Sequence, residues 1–301
     1  MGSFKIGRRE FLISAGLIAG LPGRQARAAA KRIVCAGGAI TEIVFALGHG
    51  DDVVAVDTTS WFPYDQVNKL PKIGYLRMLA AEGLLSTQPD LILADHDAGP
   101  PDVMLQLQSM KINLRQFPDK STAESVGAKI DFVGEALGEA DKAREISAAY
   151  TSDLQTLQGV VGTLSAKPSV LFLLNAASNG LRGAGAGTGA DDIIRLAGGS
   201  NAFGEAKGYQ SVSPESALAA NPAFVLMMKE TLDEMGGIEQ VKALPALAHL
   251  KAITEGRIIA MHGSYLLGFG PRTAHAAWEL ATQLHPQETL PALPKRPWLG
   301  T

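Results

Sequence analysis

Short apolar runs bounded by glycine or polar turns recur along the chain, and between them apolar residues return at helical spacing. Residues 32–36 read RIVCA, stop at Gly37-Gly38 and predict a buried strand. Residues 41–47 predict a helix, with Thr41 as a cap and Gly48 as its stop. Residues 53–56 predict the next strand, residues 80–87 a short helix and residues 91–94 a further strand. Strands alternating with helices imply a parallel sheet, and the alternation runs to about Pro118.

The texture then changes. From Ser121 to about Leu164 there is no strand signal; Ile130, Val133 and Leu137, then Ala143, Ile146 and Tyr150, recur at helical spacing. Gly134 and Gly138 are expected to divide this stretch. Residues 139–164 predict one helix of roughly 35–40 Å at 1.5 Å per residue, closed by Lys167-Pro168. Strands are then expected at residues 170–174, 224–228 and 257–261, with helices at residues 191–196 and 272–284. A Pro-rich tail follows from Pro286.

An internal repeat divides the chain into two lobes. Residues 81–93 (AEGLLSTQPDLIL) and 214–226 (PESALAANPAFVL) each place a glutamate, Glu82 or Glu215, at the start of a short helix. A proline seven residues later ends each helix and feeds an apolar strand. The expected divisions are a signal segment at residues 1–28, an N-terminal lobe at 29–120, a helical segment at 121–166 and a C-terminal lobe at 167–301.

Composition narrows the function classes. Of 301 residues, 46% are hydrophobic and 19% charged, which excludes a wholly disordered chain. The net charge of −3 offers no basic field for nucleic acid. A single cysteine, Cys35, excludes an intramolecular disulfide framework and a Cys-based zinc cluster; its place in an apolar run marks it as a buried strand residue. Arg8-Arg9-Glu10-Phe11-Leu12, the apolar run at residues 13–21 and Ala26-Arg27-Ala28 have the layout of a secretory signal of twin-arginine type. Cleavage after Ala28 would remove Lys5, Arg8, Arg9, Arg24 and Arg27 against Glu10, leaving a more acidic, exported chain. No later segment is long and apolar enough to span a membrane.

Three motifs carry a family resemblance. They are Ile73-Gly74-Tyr75-Leu76-Arg77 followed by AEGLLS at residues 81–86, ADDIIRLAGG at residues 190–199, and LGFGPRT at residues 267–273. The chain resembles the periplasmic heme-binding proteins of bacterial ABC importers, in the helical-backbone superfamily that also carries cobalamin and iron siderophores. The resemblance covers nearly the whole chain after the signal. It implies an α/β fold of two Rossmann-like lobes with parallel sheets, joined by one long rigid interdomain helix, with a ligand cleft between lobes. It implies a binding protein, not an enzyme, carrying ferric heme (ferric protoporphyrin IX). The implied partners are an ABC permease dimer and its ATPase, with an outer-membrane heme uptake system upstream.

By the same resemblance Tyr75 is the axial ligand of the heme iron. On the residues alone Tyr75 could equally be a loop tyrosine resting on its own lobe. A phenolate oxygen is a hard anionic donor that suits ferric iron. Arg77 is the candidate donor to that phenolate, because residues two apart in extended chain point to the same side. Glu82 and Glu215 are implied to dock on arginines of the two membrane subunits. Some family members add a histidine after the first strand of the second lobe; here residues 175–180 read NAASNG, so one tyrosine ligand and one heme are expected.

The histidines His49, His96, His249, His262, His275 and His285 lack metal-ligand spacing; His96, just after the strand at residues 91–94, is placed best for a cleft. The glycine-rich residues 180–189 lack a phosphate-loop pattern and are expected to form a flexible rim, where Arg182 could pair a propionate. Tyr209 and Tyr265 are further cleft candidates. The alternatives are a binding protein for another iron chelate or cobalamin, an exported α/β enzyme and a metal-ion carrier. A serine hydrolase would want G-x-S-x-G, which is absent, while a scattered triad stays open.

Overall fold

A computed structural model describes residues 1–2, 32–177 and 180–300, so the expected signal lies outside the described residues apart from its first two. Ten strands form two sheets among the described residues. The first holds β1 (Ile33–Ala36), β2 (Val53–Val56), β3 (Leu91–Ala94) and β4 (Leu114–Gln116), all parallel in the order β2-β1-β3-β4. Its side chains obey the period of two. Ile33, Cys35, Leu91 and Leu93 enter one core, while Val34, Ala36, Ile92 and Ala94 enter another on the opposite face. A sheet buried on both faces must be apolar at every position, which is why β1 and β3 read as unbroken apolar runs.

The second sheet holds β5 (Ser169–Ala177), β6 (Gly180–Ala184), β7 (Ser200–Asn201), β8 (Tyr209–Val212), β9 (Phe224–Met228) and β10 (Ile258–Met261). The path is β10-β9-β5-β6-β8, with β7 beside β5. β5, β9 and β10 are parallel, as expected, but β5–β6 and β6–β8 are antiparallel, so this sheet is mixed. The expected flexible rim at residues 180–189 therefore begins as a strand. Its glycines serve close packing: a Cβ on Gly183 would lie 2.9 Å from Val212 Cγ2, and one on Gly185 2.3 Å from the Ala206 carbonyl oxygen.

The sequence repeat has a structural counterpart. β1-β3-β4 and β5-β9-β10 are equivalent parallel triplets, and the helices bearing Glu82 (Ala81–Ser86) and Glu215 (Pro214–Ala220) lead into β3 and β9.

The long helix spans Ala140–Gly162, 23 residues, or about 34 Å. Ala143, Ile146, Tyr150 and Leu154 pack in the core of the first sheet, and Leu157 in the core of the second. The preceding helix, Val126–Leu137, ends on the left-handed Gly138. Gly134 does not divide the stretch. It lies inside that helix, where a Cβ would come within 2.1 Å of Ala143 Cβ, so it sets the close approach of the two helices.

Two further ties join the halves. Glu42, in the helix Gly38–Ala46, accepts from Arg272 Nε at 2.9 Å and Nη2 at 2.5 Å, with both side chains buried. The tail then returns to the first core: Leu293 and Trp298 pack there, and Arg296 makes a two-point bond to Asp153 of the long helix at 2.9 and 2.6 Å. Among the described residues no helix is long and apolar enough to cross a membrane.

Burial holds the Glu42 carboxyl above its ordinary range and Arg272 pulls it back, so removing the arginine strands a buried acid. Arg272→Ala is expected to cost about 3–5 kcal/mol in urea unfolding, while Arg272→Met combined with Glu42→Leu recovers most of it. A single-variant loss below about 1 kcal/mol would show the pair to be no more than a surface contact.

Candidate functional site

Ligands of open α/β sheets bind beyond the carboxyl ends of the strands. Here those ends from both sheets face one cavity of about 660 Å³. Thr58 and Asp97 come from the turns after β2 and β3; Gly38, Glu230 and Ser264 come from the first turns of the helices that follow β1, β9 and β10. The volume falls within the range of small-molecule sites, ~300–1,000 Å³.

Tyr75 stands in the wall of this cavity, 42% exposed. Its neighbours explain why. The Ile73 N–H donates to Val56 O at 3.0 Å and the Thr58 N–H to Gly74 O at 2.9 Å, which fastens the segment to the end of β2. Gly74 has φ +101°, a conformation that suits glycine, and there the chain turns. Ile73 and Leu76 are buried on either side, leaving Tyr75 facing the cavity.

Arg77 Nη1 donates to Tyr75 Oη at 2.9 Å. The expected partners meet, but not along extended chain: Leu76–Met78 is a 3₁₀ turn, and Arg77 reaches back over it. The other arm of the guanidinium pairs with Asp97. Partial burial works against the Arg77 charge, but the bonds to Tyr75 and Asp97 outweigh it and hold the proton more tightly than usual.

The remaining candidates fall in different places. Tyr209, at the start of β8, is half-buried; burial pushes its phenol up, Arg77 pulls it down and Tyr75 raises it again, so it lies within electrostatic reach of the Tyr75–Arg77 pair. Tyr265 lines a neighbouring cavity of about 790 Å³ with Phe62 and Arg272, and the two cavities share Trp61, Glu230 and Ser264. The Arg272 guanidinium carbon lies 3.7 Å from the Phe62 ring centroid and 5.1 Å from that of Tyr265. Burial pushes the Tyr265 phenol up, with Glu279 adding to the rise.

Arg182 is exposed on β6 and donates from Nη2 to Tyr209 O at 2.8 Å; it does not line the cavity. His96 does not line it either. Its Nδ1 donates to Pro118 O at 2.8 Å, while its neighbours Asp95 and Asp97 face inward. The chain leaves β3 at Ala94 and turns at His96 and Asp97, and it is Asp95 and Asp97 that this turn puts in the cavity wall. Sequence reasoning also missed Glu42 and Arg272, since nothing local links residues 230 apart.

Glu82 and Glu215 are exposed in the first turns of their helices, where a carboxylate suits the helix dipole. The Glu215 carboxyl is held below its usual range by its own backbone N–H and by the Ser213 hydroxyl. Among the described residues no group of three or more His, Cys, Asp or Glu could hold a bare metal ion.

This geometry has known relatives. The chain is similar to the solved structure of the periplasmic heme-binding protein RhuT from Roseiflexus sp. RS-1 in apo form: 35% identity, a TM-score of 0.82, 85% of this chain and 98% of that one covered. It is similar to the periplasmic heme-binding protein BhuT in complex with two hemes, at 36% identity and a TM-score of 0.79, covering 84% and 97%. A vitamin B12-binding protein of Photorhabdus laumondii is 25% identical over 259 residues, 86% of this chain and 89% of that protein. The family described as periplasmic binding protein matches residues 33–265, more than three quarters of the sequence, and the chain belongs to that family.

Proposed function

We propose that this protein captures ferric heme outside the cytoplasm, binds its iron through the Tyr75 phenolate and delivers it to an ABC importer. The observation that carries the reading is the 2.9 Å bond from Arg77 Nη1 to a Tyr75 oxygen that faces the cavity between the two sheets. A free phenol ionises near pH ~10, so a tyrosinate at neutral pH needs iron and a nearby cation. Arg77 supplies the cation and donates a hydrogen bond to the ligand oxygen, the outer-shell role that tunes a metal ligand. The heme-binding relatives RhuT and BhuT support the choice of ligand. Trp61, 47% exposed between the two cavities, offers an aromatic face to a flat macrocycle.

Cobalamin is the second reading, supported by the relatives named as vitamin B12-binding proteins. A corrin presents no ferric iron to a phenolate, so the Tyr75–Arg77 bond favours heme.

Delivery follows from placement. Glu82 and Glu215 occupy equivalent positions, one per sheet, and a pseudo-symmetric pair suits a two-fold symmetric permease. Export by the twin-arginine route, and a division into lobes at residues 29–120 and 167–301 around the helical segment 121–166, complete the proposal.

Hemin titration should give a saturable one-to-one endpoint and a tyrosinate-to-iron charge-transfer band, both absent in Tyr75→Phe and unaffected by hydroxocobalamin. Unchanged binding in Tyr75→Phe would remove the ligand assignment; a two-to-one endpoint would revise the heme count. Arg77→Ala should weaken hemin binding by about 10–100-fold while leaving the band detectable. Reversing both docking carboxylates, Glu82→Arg with Glu215→Arg, should abolish stimulation of the transporter's ATPase in proteoliposomes with hemin affinity unchanged. Full stimulation would show that docking lies elsewhere.

A further inference from the structure

Arg77 sits half exposed on a short 3₁₀ turn, and an exposed arginine spreads over many rotamers unless something outside its own element holds it. What holds it here is the facing turn, residues 95–99. The Leu79 N–H donates to Gly99 O at 2.8 Å and the Gly99 N–H to Leu76 O at 3.0 Å, which bind the two turns together.

The second turn is itself heavily fastened. The Gln116 side-chain amide, at the end of β4, donates to three of its carbonyls: His96 at 2.9 Å, Ala98 at 3.1 Å and Asp95 at 3.2 Å. The Asp95 carboxylate accepts from the buried Lys129 ammonium at 2.9 Å, the Ser121 hydroxyl at 3.0 Å and the His96 N–H at 2.7 Å. Lys129 also donates to Ser121 Oγ at 2.6 Å. Asp97 projects from this turn into the cavity and takes Nη2 of Arg77, leaving Nη1 on Tyr75 Oη. A guanidinium is a rigid planar fork, so fixing one arm fixes the direction of the other.

We infer that Asp97 is a positioning residue for the iron ligand: it pins Arg77 so that Nη1 stays on the Tyr75 oxygen, and Gln116 and Lys129 hold the turn from which Asp97 does so. The inference rests on the heme reading of Tyr75 and extends the ligand machinery to the turn at residues 95–99. Asp97 also offsets part of the Arg77 charge. Geometry and charge thus predict opposite effects of removing it, and geometry is the one assigned here.

The test separates them. Asp97→Ala removes anchor and charge; Asp97→Asn removes the charge and keeps an oxygen that accepts from Nη2. Hemin release to an excess of apomyoglobin should be about fivefold faster from Asp97→Ala, the scale of one exposed ion pair, with a shifted charge-transfer band. Asp97→Asn should stay near wild type. Gln116→Leu, which leaves every group touching Arg77 and Tyr75 in place, should move release in the same direction by less, with thermal melts confirming that it folds. In the hemin-free chain, ¹⁵Nε relaxation of Arg77 should show an ordered side chain in wild type and a mobile one in Asp97→Ala. Wild-type release and an ordered Arg77 in Asp97→Ala would overturn the inference. So would slower release in both Asp97 variants, the signature of charge alone. A wild-type chain that binds hemin with no tyrosinate band would instead overturn Tyr75 as the iron ligand, and the Arg77 relaxation would still decide whether Asp97 positions it.

Discussion

The helix Ala140–Gly162 buries residues in two cores at once, and that double commitment governs the geometry of the cavity. Ala143 to Leu154 belong to the core of the first sheet, and Leu157, one turn later, to the core of the second. A continuous helix has no soft dihedral between those points, so the two sheets are held at a fixed spacing by i→i−4 hydrogen bonds. The carboxyl ends of β1, β2 and β3 then meet those of β9 and β10 across a gap whose walls are the segments that leave those strands. The buried pair of Glu42 and Arg272 adds a second tie between the two halves, outside the lining of that gap. Its cost of desolvation is high, so the pair adds less net stability than its short bonds suggest.

Within that frame the chemistry is concentrated on one oxygen. Tyr75 is presented by the burial of Ile73 and Leu76 on either side, and its phenol receives one arm of a guanidinium whose other arm is taken by Asp97. Asp95, Asp97, Glu230 and Glu234 also line the cavity, so its charge is mainly negative around a single arginine. Such a wall suits the cationic centre of a ferric macrocycle and repels carboxylates placed near Tyr75. A ligand with anionic substituents must turn them away from this wall; in the neighbouring cavity Arg272 is already taken by Glu42 and Lys229 by Asp233.

Much of the fold was legible because strands buried on both faces write themselves as apolar runs. β1, β2, β3, β9 and β10 were found within a residue of their ends. β4, β6 and β8 were not. Leu114–Gln116 is three residues at an edge, Tyr209–Val212 is mostly polar, and Gly180–Ala184 looks like a loop until the crowding at Gly183 is seen. Tyr75 and Arg77 were legible through a motif, yet the turn that joins them was not, since a 3₁₀ turn of three residues leaves no periodic trace. Buried charges were least visible. Lys129, Asp95, Glu42 and Arg272 each look like surface residues until their partners, brought from distant parts of the chain, are known.

The tail carries a consequence for how the chain is made. Leu293 and Trp298 fill the core of the first sheet, and Arg296 closes on Asp153, midway along the long helix. Synthesis runs from the N-terminus, so β1 to β4 emerge from the ribosome long before the residues that seal them. The core of the half that is made first is therefore completed by residues made after every strand of the second sheet.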